Sequence, residues 1–100
     1  MIDNKKHQTH SIGELIAQFI QGTEAETVLM ERKVIQLWPE VMGQAVANLT
    51  GEIEMKKGVL YVHIHSAALR AQLFEYRFDV VRKLNEAINA PFVKDIRLLG

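Results

Sequence analysis

Glu52-Ile-Glu-Met-Lys-Lys-Gly-Val-Leu-Tyr-Val-His-Ile-His65 is the stretch from which the rest of the chain is read. Ile53 and Met55 alternate with Glu52, Glu54 and Lys56. Leu60, Val62 and Ile64 alternate with Tyr61, His63 and His65. A period of two on either side of Lys57-Gly58 predicts paired antiparallel strands, each with one buried face. Gly58 supplies the positive φ of a short hairpin turn.

Downstream, Ser66 is placed to cap one long helix ending near Asn89. Its apolar residues recur at Leu69, Leu73, Tyr76, Val80, Leu84 and Ala87. A second row, Phe74, Phe78 and Val81, widens the apolar arc beyond that of an ordinary surface helix, so one row calls for a further cover or a partner. Ala90-Pro91 breaks the helix. Val93, Ile96 and Leu98 then predict a short last strand, with Lys94, Asp95 and Arg97 outward.

Upstream, Ser11-Ile-Gly-Glu14 and Thr23-Glu-Ala-Glu26 both have the spacing of a capping box. The first opens a helix with an apolar face of Ile12, Leu15, Ile16 and Phe19, stopped at Gly22. The second opens a helix carrying Val28, Leu29, Val34, Ile35, Leu37, Trp38, Val41 and Met42. Pro39 predicts a bend or break at Trp38, and Gly43 an end. Gln44 to Gly51 is ambiguous, with a short helical turn as one reading. Residues 1–10 are polar and read as a flexible arm. Residues 11–100 read as a single α+β domain with helices on one face of a small sheet.

One hundred residues with 48% hydrophobic content fit one globular domain. Twelve basic and twelve acidic side chains cancel, which excludes a global basic field for nucleic acid but leaves room for local patches. With no cysteine there is neither a disulfide framework nor a thiolate metal site. No signal peptide and no membrane span is visible, and the expected location is the cytoplasm.

Catalytic motifs are missing. The sequence has no Gly-x-Ser-x-Gly elbow, Walker loop, dinucleotide fingerprint or His-Glu-x-x-His. The reading is of a non-enzyme without cofactor or metal. His63 and His65 could offer two zinc ligands, but no third ligand stands at a fixed spacing.

The candidate partner-binding residues are Trp38, Arg70, Phe74 and Arg77. Trp38, the single tryptophan, fits either core packing at a bend or a partner-facing anchor. Arg70 and Arg77, seven apart, share a helix face with Phe74. They read either as stems lying over apolar surface or as a mixed aromatic and arginine contact patch. Candidate nucleic-acid contacts are Lys5 and Lys6 in the arm, Lys56 and Lys57 at the hairpin tip, and Arg82 and Lys83 late in the helix.

Several segments in order have a familiar pattern. Two helices precede Trp38-Pro-Glu-Val-Met-Gly43. Gly58-Val-Leu-Tyr-Val62 forms a strand, and Ser66-Ala-Ala-Leu-Arg70 opens a helix. Leu84-Asn-Glu86 falls late in it, and Val93-Lys-Asp-Ile96 leads the last strand. This set resembles the DciA family of bacterial proteins, most of all its short, Bacteroidetes-type members, over roughly Ser11 to Leu99. The resemblance implies a KH-like fold and a DNA replication accessory that binds the replicative, DnaB-type helicase and weakly contacts DNA. An RNA- or single-strand-binding KH-like module is the alternative. The chain has no Gly-x-x-Gly loop of the kind by which KH domains clamp a nucleic-acid backbone.

Overall fold

A computed structural model describes residues 11–100. The segment read as an arm, with Lys5 and Lys6, lies outside the described residues. Helices α1 (Ile12–Ile20), α2 (Glu24–Met42) and α3 (Gln44–Asn48) lead into strands β1 (Thr50–Lys56) and β2 (Val59–Ile64). Helices α4 (Ala67–Glu75) and α5 (Arg77–Ile88) follow, and strand β3 (Asp95–Leu99) closes the chain. The architecture is α+β, with a mixed three-stranded sheet in the order β1-β2-β3.

The hairpin forms in the expected register. Ile53 lies opposite Val62 and Met55 opposite Leu60, in antiparallel pairing. Both turn residues adopt positive φ, Lys57 at 48° and Gly58 at 81°, as a two-residue type I′ turn requires. Near its start β1 carries an irregularity between Thr50 and Ile53, one residue longer than the facing segment of β2. A side chain at Gly51 would collide there with the His65 ring, its Cβ 2.6 Å from Nε2.

The third strand runs parallel to β2, with Leu60 beside Ile96 and Val62 beside Leu98. Parallel neighbours need a long crossover, and α4 and α5 provide it. Leu60, Val62 and Ile64 are buried on one face of the central strand, while Tyr61 and His63 on the other are half-exposed. The core joins these to Val34 and Trp38 of α2, Met55, Leu73 of α4, Val80 and Leu84 of α5, Val93 and Ile96. Among the described residues no polar or charged side chain is buried.

Three local expectations are corrected. The stretch read as one long helix is two helices, interrupted at Tyr76, where φ −101° and ψ 20° leave the α region. Pro39 does not break α2, which runs through to Met42. The ring sits on the exposed side of the helix, where an acceptor left without its amide donor can meet water, and the Pro39 carbonyl still accepts from Gly43 N at 2.9 Å. Finally, Thr23 makes no side-chain cap. Its hydroxyl donates back to the Ile20 carbonyl, and Glu26 instead accepts from the Gly22 amide at 2.9 Å. The Ser11–Glu14 capping box is complete, with both reciprocal hydrogen bonds.

Candidate functional site

The interruption at Tyr76 builds the most chemically distinctive surface. A helix that stops leaves its last carbonyls without intrahelical donors. Arg77, the first residue of α5, answers one of them: its Nη1 donates to the Phe74 carbonyl at 2.7 Å. Its guanidinium lies over two rings, 4.1 Å from the centroid of Phe74 and 4.6 Å from that of Phe78. These are cation–π contacts. Phe74 and Phe78 are nonetheless 56% and 73% exposed, and Tyr76 beside them is also exposed. Two aromatic faces are thus held in place by an arginine that has no carboxylate partner among the described residues. From Phe78 an open groove of ≈ 580 Å³ continues past Val81 and Asn85 to Pro91.

The sequence placed Arg70 with this group, but the fold separates it. Arg70 Nη1 donates to the Ile64 carbonyl at 2.6 Å, and its guanidinium lies within about 3.3 Å of the Cβ position of Gly100. Arg70 fastens α4 to the end of β2 and to the chain end, whereas Arg77 caps α4. Trp38 lies in the core, 1% exposed, with its indole N–H donating to Thr50 Oγ1 at 3.1 Å. That hydroxyl in turn donates a hydrogen bond to the Val46 carbonyl at 2.8 Å. A side chain so enclosed packs α2 against β1 and presents no surface to a partner.

The basic candidates divide in the same way. Lys56 and Lys57 stand exposed at the hairpin tip. The Lys94 amide donates to the Gly58 carbonyl at 2.7 Å, and the Lys94 stem packs so closely on Gly58 that an added Cβ would lie 2.7 Å from Cγ. Lys94 therefore joins the tip, a neighbour the sequence reading missed because the residue belongs to the connection before β3. Arg82 is engaged with two acids on its own helix, Asp79 at 3.2 Å and Glu86 at 3.3 Å. Hydrogen bonds to Asp79 and then Glu86, with their charges, hold its pKa above the ordinary guanidinium value. Lys83 beside it is exposed.

The two histidines are occupied separately. His63 Nδ1 is 3.2 Å from the Gly100 carbonyl, and His65 lies against Gly51. Among the described residues no three metal-ligating side chains come together. Among those same residues no helix is long and apolar enough to cross a membrane.

The family model described as Dna[CI] antecedent, DciA, matches residues 11–98. The chain belongs to the DciA family. The match takes in every helix and all but the last residue of β3, so the aromatic and arginine patch and the lysine tip both lie inside the DciA region. DciA proteins are replication accessories linked to helicase loading and associated with the replicative helicase. Among curated proteins none matches the chain.

Proposed function

We propose that this protein binds the replicative helicase as a non-enzymatic accessory, through the Phe74, Arg77 and Phe78 patch, and touches DNA weakly through the lysine tip. The observation that carries the reading is the arginine fixed between two exposed rings at the α4–α5 break. Aromatic and arginine side chains dominate interface hot spots. Here they are ordered before any partner arrives, which lowers the entropy lost on binding. The free charge of Arg77 suits an acidic group at the centre of the partner's surface.

The lysine tip supports the second half. Lys56, Lys57 and Lys94 meet at one end of the sheet, and a few lysines on phosphates give weak, salt-sensitive binding without sequence preference. We read the sheet and its helices as KH-like. Without a Gly-x-x-Gly clamp, nucleic-acid contact is electrostatic and lies at the hairpin. The cytoplasm, where chromosomes are copied, is the matching location.

The test is a pair of variants assayed against the helicase from the same bacterium and against single-stranded DNA and RNA. Arg77→Glu removes the cap on the Phe74 carbonyl but places an acid at the start of α5, where the helix dipole favours it, so the fold should survive. It should lose about 30-fold in helicase affinity, the loss of a 2 kcal/mol hot spot, and keep DNA affinity. Lys56→Glu with Lys57→Glu should do the reverse. Unchanged helicase binding by folded Arg77→Glu rejects the patch. Tight, sequence-dependent RNA binding by the wild type, without helicase binding, favours the single-strand-binding module.

A further inference from the structure

Helix α1 is well capped and touches the rest of the fold mainly at α2, leaving much of its apolar face open. None of its nine residues is buried. Ile12 is 73% exposed and Phe19 87%, with Leu15 and Ile16 about half exposed between them. At 3.6 residues per turn these four side chains fall on one face, and Glu14, the helix's single charged residue, falls on the opposite side. An isolated helix this short is marginal in water, and its order depends on covering its apolar face. Residues 1–10 bring two apolar side chains, Met1 and Ile2.

We propose that a second copy of this chain covers it, with the two α1 helices packed antiparallel about a two-fold axis. This inference does not rest on the helicase reading. Three features favour a second copy over a different protein. The face is free of charge, so it has nothing to match on a polar or charged partner. It repeats at i, i+3, i+4 and i+7, the seam by which helices pack on one another. Antiparallel pairing sets Phe19 of each copy against Ile12 of the other, opposes the two helix dipoles, and keeps both Glu14 side chains off the seam. An isologous contact of this kind closes at two copies and leaves no open end.

The seam is short: Ile12, Leu15, Ile16 and Phe19 are the exposed apolar side chains it offers per copy, which places the contact among the small interfaces of weak, concentration-dependent complexes. The aromatic patch is on α4 and α5, so a dimer formed through α1 would present it twice.

Sedimentation and light scattering at rising concentration test the proposal. The wild type should move from 11.4 kDa toward twice that mass. Ile16→Lys with Phe19→Lys puts two cations on the open seam, the one at position 19 in the last turn where the helix dipole favours it, and this variant should remain at the monomer mass with an intact circular dichroism spectrum. A second measurement tests the direction of pairing in a chain that has no native cysteine. Leu15→Cys lies beside its own copy across the axis and should oxidise to a covalent dimer. Ile12→Cys lies about 10 Å from its copy along the antiparallel pair, beyond disulfide reach, and should stay reduced. A wild type monomeric into the hundreds of micromolar overturns the proposal. So does a Lys variant that still dimerises, cross-linking at Ile12 rather than Leu15, or a monomer whose α1 variant loses only helicase binding.

Discussion

Lys57 is held at a φ of 48°, in the left-handed region that non-glycine residues enter at a cost of about 1–2 kcal/mol. Asparagine is the residue a type I′ turn prefers in that place. Lys57→Asn should therefore raise stability by about 0.5–1 kcal/mol in a denaturant melt and weaken DNA binding, a trade of stability for charge. Elsewhere single residues act as fasteners. The Asn85 amide bonds both polar atoms of the Val93 backbone, donating to its carbonyl at 2.9 Å and accepting from its amide at 2.8 Å. Asn85→Ala strands both groups and should destabilise by about 1–3 kcal/mol in the same melt. Trp38→Ala should cost about 3–5 kcal/mol, the usual range for a buried aromatic truncation. Trp38→Phe should cost less, since it keeps most of the volume and loses the bond to Thr50; equal losses would mean that the indole N–H matters more than its packing.

Among the elements, the strands were legible in the sequence because their two faces meet different surroundings. Met55, Leu60, Val62 and Ile64 are buried, their alternates are not, and a period of two records that contrast directly. The break between α4 and α5 was not legible. Leu73, Val80 and Leu84 keep a helical spacing across Tyr76 and are all buried, so the apolar pattern reads straight through a one-residue interruption. Its signal was the second row: Phe74 and Phe78 are apolar residues that the core does not take. The direction of β3 also escaped, because alternation is the same for parallel and antiparallel strands. At the candidate site, the sequence located Phe74, Arg77, Lys56 and Lys57. It grouped Arg70 with Arg77 by helical spacing alone, which cannot see that Arg70 reaches the Ile64 carbonyl. An expectation at this scale concerns the cap on α4. Arg77→Ala removes both the carbonyl cap and the cation between the rings, and should lower stability by about 0.5–1.5 kcal/mol. The melt should resemble that of Arg77→Lys only if charge alone, and not the planar guanidinium, holds the rings.

At the scale of the whole molecule the two proposed surfaces differ in their physics. Contacts through the lysine tip release counterions, so the logarithm of DNA affinity should fall linearly with the logarithm of salt, with a shallow slope of about two to three for three lysines. Contacts through Phe74 and Phe78 bury apolar area, and helicase affinity should change far less over the same salt series. A common slope for both ligands would place them on one surface. The central claim is that the helicase sits on the α4–α5 junction, and the most direct measurement is a photo-crosslinking residue placed at Phe78 and, separately, at Ile12. Irradiated with the helicase, the protein bearing the crosslinker at Phe78 should form a covalent adduct with it, while the one bearing it at Ile12 should not. An adduct from Ile12 with none from Phe78 would contradict the claim.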